Sequence, residues 1–204
     1  ATTTSTTTTT TGFRRSCATE PKTVDKVKMV RVQSKDGLGK SASYEMAVHS
    51  VPDIVSAKIL KLGVWEPEII NPMAKILGRC GRSELVIDIG GNIGFFTSYL
   101  ASLGHRVVVV EPFELNMPLL MKTVCTNPGM EGRVQAYKLA LLDSGDMDMC
   151  LWSTNKKVNN GNARLTPAFD GKADFDQDKG VSCMERIRSF TLDHLLFEAA
   201  EGVG

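Results

Sequence analysis

A glycine-rich run and two acidic residues are the part of this sequence best suited to chemistry. Residues 88–94 read DIGGNIG, and Glu111 follows Asp88 by 23 positions. Glycines let a backbone turn tightly and approach a ligand closely, and the free N–H groups at a helix start favour an anionic group. A carboxylate placed like Glu111 can accept the hydroxyl hydrogens of a ribose. The spacing therefore predicts a cofactor that contains a nucleoside.

Two cofactors compete for such a site. A dinucleotide requires G-x-G-x-x-G, whose second glycine makes room for the pyrophosphate. The glycines of this chain are Gly90, Gly91 and Gly94. Asn92 therefore occupies the position of the second glycine and would crowd a diphosphate, and Asp88 would repel it. S-adenosylmethionine has a ribose, an ammonium and a sulfonium but no phosphate, so these residues favour it over NAD(P).

Alternating strands and helices must position these residues. Apolar runs predict buried strands at 85–87, 107–110 and 134–141, and helical periodicity predicts helices at 95–103 and 116–124 between them. Strand, helix, strand, helix, strand in this order predicts an α/β protein with a parallel sheet. The cofactor is then expected across the carboxyl ends of the first two of these strands.

A region of different character precedes the α/β pattern. Residues 1–22 begin with a threonine-rich tract of low complexity, for which we expect disorder. Residues 23–82 predict a small β-hairpin followed by two helices. In the first of these helices Asp53 is a suitable N-cap and Gly63 a suitable end.

The alternation breaks after the third strand. Two more strands are predicted near 147–152 and 183–192, and a last helix at 193–200. Between the two strands lies a polar stretch, 153–180, which is too long for an ordinary connection and is expected to be a mobile lid or disordered. Residues 83–204 therefore predict a partial domain, truncated after its third main strand and a β-hairpin insertion.

Composition excludes several classes of protein. The 204 residues are 42% hydrophobic with a net charge of +1, as in an ordinary globular protein. Residues 1–40 hold eight Lys/Arg against three Asp/Glu, and residues 41–204 hold sixteen against twenty. This mildly acidic body offers no broad cationic face, so nucleic acid is not an expected partner. No apolar run reaches the ~18–20 residues that cross a bilayer, so no membrane span is expected.

Cysteine and histidine patterns predict no metal. The cysteines are scattered, at Cys17, Cys80, Cys125, Cys150 and Cys183. Since they show no C-x-x-C pair and no nearby histidine, we expect neither a metal site nor a dense disulfide framework. We interpret most of them as reduced, partly buried thiols. His49 and the other two histidines are equally dispersed, and the sequence indicates no catalytic base.

Several motifs occur in a characteristic order. They are VIDIGGNIGFFT at 86–97 and GHRVVVVEP at 104–112 followed by Asn116 and Leu120, with GVWEPE at 63–68, ALLD at 140–143 and TLD at 191–193. In this combination the chain resembles the FkbM-type family of S-adenosylmethionine-dependent methyltransferases. The resemblance covers about residues 50–200.

The resemblance implies the Rossmann-like, doubly wound fold of class I methyltransferases. It also implies an enzyme that methylates a hydroxyl group of a small molecule or a glycan. It implies that the cofactor loop consists of Asp88, Gly90, Gly91, Asn92 and Gly94, that Glu111 holds the ribose, and that Asp143 borders the adenine. The family more often has alanine at position 91, and the glycine found here instead is expected to be sterically harmless.

One family landmark is absent from the sequence. The next strand, with a Lys-Ile-Asp-x-Glu-Gly-like signature, would follow residues 195–196. We therefore expect about half of a cofactor site and no methyl transfer from this segment alone. Two alternatives stay open, an NAD(P)-dependent oxidoreductase and a catalytically inactive Rossmann-like binding module.

Overall fold

The computed structural model describes residues 10–20, 27–35, 41–50, 52–79, 84–153, 163–168 and 183–201. Within them the chain is a mixed α/β protein. The helices are α1 Ile54–Leu62, α2 Pro67–Leu77, α3 Phe95–Ser102, α4 Met117–Thr126 and α5 Leu192–Glu201, with a 3-10 turn at Thr10–Phe13. The strands are β1 Arg14–Arg15, β2 Val27–Lys35, β3 Ser41–His49, β4 Leu85–Ile89, β5 Arg106–Val110, β6 Val134–Tyr137, β7 Ala140–Leu141, β8 Asp148–Trp152, β9 Arg164–Pro167 and β10 Glu185–Phe190.

The main sheet has the strand order β1-β6-β5-β4, in which β4, β5 and β6 run parallel. Helix α3 connects β4 to β5, and α4 connects β5 to β6, so the predicted α/β alternation is confirmed. The four valines of β5 are at most 2% exposed, as expected of a strand covered on both faces. Ile89 pairs with Val110, so the residues that follow β4 and β5 lie side by side.

The predicted hairpin is confirmed as β2 and β3, and it packs on α3 and α4. The Tyr44 hydroxyl donates to the carbonyl of Phe95, and the Ala47 N–H donates to the Thr123 hydroxyl. These side-chain and backbone bonds satisfy polar groups that the hairpin buries. Helix α1 begins and ends as predicted, because the Asp53 carboxylate accepts from the Ser56 N–H and Gly63 takes the left-handed conformation.

A second sheet, in the order β7-β10-β8-β9, follows the first. The single strand predicted at 134–141 is in fact two, β6 and β7, because the chain leaves the main sheet at residues 138–139 and pairs with β10 instead. The expectation of an unstructured 153–180 is wrong in part, since β9 lies within it and pairs with β8. The remainder of that stretch, 154–162 and 169–180, lies outside the described residues.

Part of the N-terminal tract is ordered, in contrast to the disorder expected for 1–22. Residues 10–20 contain β1, which pairs antiparallel with β6. The Phe13 ring packs edge-on against Phe190, with 5.4 Å between ring centroids. Cys17 is bonded to Cys125 of α4. Long-range contacts of this kind leave no local signal in a threonine-rich sequence.

Two disulfides overturn the interpretation of the cysteines as mostly reduced. Cys17 pairs with Cys125 and Cys150 with Cys183, at Cα–Cα distances of 5.5 and 5.6 Å. The partners are 108 and 33 residues apart in sequence, so only the fold brings them together. Disulfides persist mainly in oxidising compartments. Cys80 lies outside the described residues.

Within the described residues, no group of three or more His, Cys, Asp or Glu side chains is arranged to hold a metal ion. No described helix combines the length and the apolar character needed to cross a membrane.

Candidate functional site

Six of the seven residues predicted to bind a cofactor meet at the carboxyl ends of β4 and β5. A cavity of about 140 Å³ lies there. Its walls include Gly90 and Asn92 from the turn after β4, and Glu111, Phe113 and Asn116 from the segment between β5 and α4, with Leu151 and Leu165 from the second sheet. Small-molecule sites usually have about 300–1,000 Å³. The cavity as it stands is therefore smaller than a typical small-molecule site.

The turn after β4 is built by glycines in the left-handed conformation. Gly90 has φ +82° and Gly94 has φ +87°, values that side chains rarely tolerate. The N–H groups of Gly90 and Gly91 both donate to the carbonyl of Val110, at 2.8 and 3.1 Å. Space is open where a Cβ of Gly90 would lie. The turn is thus fixed against β5 while one side of it is accessible to a ligand.

Asn92 also has a positive φ, +52°. Asparagine tolerates this region better than most residues because its short side chain bonds locally. Here its Oδ1 accepts the N–H of Ile93 at 2.7 Å. The backbone N–H of Asn92 points at Glu111 and donates a hydrogen bond of 2.8 Å to its Oε2.

Gly91 is more constrained than the sequence predicts. A Cβ at this position would lie 2.3 Å from Cγ2 of Val109 and 3.3 Å from Cδ1 of Leu120. Both side chains belong to the buried core, and valine has little rotamer freedom with which to move. The alanine that the resembled family more often has at this position would therefore not fit here unless Val109 shifted.

Glu111, just beyond β5, is 5% exposed and accepts three hydrogen bonds. Its Oε1 accepts from the Phe113 N–H at 3.0 Å and from the Asn116 amide at 3.2 Å, and its Oε2 accepts from the Asn92 N–H. A carboxylate offers about four acceptor positions. The remaining position is on Oε2, so in this arrangement Glu111 can accept one more hydrogen bond, fewer than the two ribose hydroxyls predicted for it.

Asp88 lies within β4, next to β5. Its Oδ2 accepts the Thr97 hydroxyl at 2.5 Å. Burial raises the pKa of both Asp88 and Glu111. The neighbouring charge of Asp88 raises the pKa of Glu111 further. Among the described residues, no cationic side chain contacts either carboxylate. The described part of the protein therefore offers no counter-charge to these two carboxyl groups when they ionise.

A buried histidine extends the polar network behind Glu111. Oδ1 of Asn116 lies 3.3 Å from Nε2 of His49, at the end of β3. The amide NH₂ of Asn116 faces Glu111, because an ionised carboxylate only accepts hydrogen bonds. The amide oxygen of Asn116 therefore faces His49, and Nε2 of His49 carries the hydrogen of this bond. Sequence reasoning did not place His49, because its contact with Asn116 spans 67 residues.

Asp143 does not join the other predicted residues. Its side chain is exposed and accepts the N–H of Ser144 at 2.7 Å in a local turn. It is not part of the cavity wall that contains Glu111. The structure thus gathers Gly90, Asn92 and Glu111 around one cavity, with Asp88, Gly91 and Gly94 shaping the turn beside it, and leaves Asp143 outside.

No known protein family, curated protein or solved structure matches this chain. The function therefore has to be inferred from the chemistry of the site.

Proposed function

We propose that this site binds S-adenosylmethionine and that the chain belongs to a methyltransferase with a Rossmann-like, doubly wound fold. The observation that carries the proposal is the pair of carboxylates Asp88 and Glu111, for which no described residue supplies a cationic partner. Buried charges are usually paired. A ligand with an ammonium and a sulfonium would supply the missing positive charge, and its ribose hydroxyl would donate to the free position on Oε2 of Glu111.

The same carboxylates argue against the dinucleotide alternative. A pyrophosphate beside Asp88 and Glu111 would place like charges together in a partly buried site, which is unfavourable. The fold also departs from the dinucleotide fingerprint at Asn92, whose side chain bonds back to Ile93 in the space where a glycine would admit the phosphates. A nucleoside cofactor without phosphate suits these residues better.

Each residue has a distinct role in this proposal. Gly90 and Gly94 allow the turn, with the open side of Gly90 available to the methionine part of the cofactor. Glu111 holds the ribose, and Asp88 attracts the positive charge. Methyl transfer from a sulfonium is an in-line displacement, so the main task of the protein is to hold the acceptor in line with the departing sulfur. A hydroxyl of a small molecule or a glycan as the acceptor, and a contact of Asp143 with adenine, rest on the family resemblance alone.

Calorimetric titration of the chain with S-adenosylmethionine and, separately, with NAD⁺ tests the proposal. We expect saturable binding of S-adenosylmethionine and a loss of at least tenfold in affinity in the double variant Asp88→Asn/Glu111→Gln. The control Glu45→Gln, at a partly exposed carboxylate that pairs with Arg31 on the hairpin, should show no change. Binding of NAD⁺ alone would support the oxidoreductase alternative. Binding of neither cofactor, or equal affinity in the double variant, would overturn the proposal and favour a binding module.

A further inference from the structure

A second and larger cavity lies where the two sheets meet. Its volume is about 370 Å³, within the usual range of small-molecule sites. It opens between β1 and β10, beside Lys138 at the end of β6, and we call it the β1–β10 cleft. It shares no described lining residue with the cavity at Glu111.

Positive side chains dominate the wall of the β1–β10 cleft. They are Arg14, Arg15, Lys138, Arg186 and Arg188. The other described wall residues are Gly12, Phe13, Thr19 and Ile187, so no described acidic residue lines the cleft. Five positive side chains therefore surround one cavity, and which of them can attract an anion depends on their partners.

Three of these cations are already paired with acids that lie outside the wall. Arg15 contacts Glu20 and Glu114, Lys138 contacts Glu114 and Glu185, and Arg188 contacts Asp146 and Asp148. The cluster as a whole is therefore close to neutral. These pairs hold the three side chains in place and reduce their own attraction for an anion.

Arg14 and Arg186 are different. Both are exposed, and neither makes an ion pair or a side-chain hydrogen bond with any other described residue. Arg14 projects from β1 and Arg186 from β10, so the two arginines flank the cleft from opposite strands. A guanidinium presents its donors as a planar fork that matches the oxygens of phosphate or sulfate.

We propose that the β1–β10 cleft binds the phosphate or sulfate group of an anionic ligand, with Arg14 and Arg186 as its direct donors. A tetrahedral dianion has enough oxygens and charge to engage both guanidinium forks at once, whereas a carboxylate has only two oxygens and one charge. Lys138 has three ammonium hydrogens and two acidic partners, so it can direct the third hydrogen to the same ligand.

This site is independent of the proposed cofactor. The carboxylates Asp88 and Glu111 attract a cation, while the β1–β10 cleft attracts an anion, and the two cavities have separate walls. A ligand that carries a phosphate or sulfate ester therefore binds without competition from S-adenosylmethionine. The proposal stands whether or not the cofactor assignment is correct.

The test is a set of calorimetric titrations of the whole chain at constant ionic strength. The probes are inorganic phosphate, inorganic sulfate, glucose 6-phosphate, glucose 6-sulfate and, for comparison, acetate. The variants are Arg14→Ala/Arg186→Ala and the single Arg186→Gln. The matched control is Arg79→Ala/Arg106→Ala, which removes two arginines outside the cleft. Circular dichroism of each variant reports whether it folds.

We expect saturable binding of a phosphate or a sulfate probe. The affinity should fall at least tenfold in the double variant, fall less in Arg186→Gln, and stay unchanged in the control. Tighter binding of the sugar esters than of the inorganic ions would identify a larger ligand, and equal binding would identify a free anion. If no phosphate or sulfate probe binds, if acetate binds as well as they do, or if the cleft variants and the control lose affinity equally, the proposal is wrong.

Discussion

The side-chain amide of Asn116 donates to Oε1 of Glu111 across 3.2 Å. Since the other end of that amide faces Nε2 of His49, the orientation of Glu111 depends on a residue of the N-terminal hairpin. The hairpin thus does more than pack against α3 and α4. It supports the carboxylate that is proposed to hold the ribose.

Changing His49 should therefore weaken cofactor binding. We expect His49→Leu to lower the affinity for S-adenosylmethionine about 3–10-fold, because a neutral hydrogen bond contributes roughly 0.5–1.5 kcal/mol and its loss frees Asn116 to rotate. His49→Gln keeps a donor and should restore most of the affinity. Calorimetry measures the affinity, and thermal unfolding checks stability. If both variants bind equally well or equally poorly, His49 does not position Glu111.

Gly91→Ala should destabilise the fold. The added methyl group would meet the Val109 side chain at 2.3 Å in a core that cannot expand, so we expect a loss of about 1–3 kcal/mol in the free energy of unfolding. Urea denaturation measures this value. The control is Gly132→Ala, where nothing lies within 4 Å of the new Cβ. Equal stability of the two variants would contradict the tight contact at Gly91.

Asp88 should make the free protein less stable as the pH rises. Its pKa in the folded chain lies above the ordinary value of 3.8, so the folded state holds this proton more tightly than the unfolded state. The contribution of Asp88 to the free energy of unfolding is greatest below pH ~4, and it falls as the pH rises through the raised pKa.

Asp88→Asn removes this pH dependence. The variant should unfold at a higher temperature than the unaltered chain at pH 7, and the difference should shrink towards pH 4. Each kcal/mol corresponds to about 2–4 °C in a chain of this size. Asp148→Asn, at an exposed carboxylate that pairs with Arg188, is the control and should show no such gain. A variant that is less stable than the unaltered chain at pH 7 would show that burial of the Asp88 charge carries no cost.

The disulfides predict a thiol count. Under denaturing, non-reducing conditions, protein from an oxidising compartment should react with a thiol reagent at no more than one of its five cysteines, because four are paired. Loss of the Cys17–Cys125 bond in Cys17→Ser/Cys125→Ser should lower stability by up to about 4–5 kcal/mol, since the bond closes a loop of roughly 100 residues. Cys80→Ser serves as the control. A count of five thiols would show that neither bond forms.

The central part of the fold could be predicted from the sequence alone. The order from β4 to β6 was predictable because apolar runs and helical periodicity are local signals, and Asp53 and Gly63 marked the ends of α1 for the same reason. The turn at 90–94 was predictable from its glycines. These are features in which each residue's neighbours in sequence are also its neighbours in space.

The rest depends on contacts between distant parts of the chain. The cost of a side chain at Gly91 is set by Val109 on the next strand, and the support of Glu111 comes from His49 on the hairpin. The pairing of Cys17 with Cys125 and the edge position of Arg14 likewise require the folded chain. None of these relationships has a periodicity or a motif by which a single sequence could reveal it.

The short strand β1 has a practical consequence for anyone who shortens this protein. The threonine-rich tract is an obvious part to delete, yet residues 14–15, which follow it, supply hydrogen-bonding partners to the outer edge of β6. An uncovered edge presents free N–H and C=O groups to the strands of other molecules. Deletion beyond Phe13 would turn a protected edge into a template for aggregation.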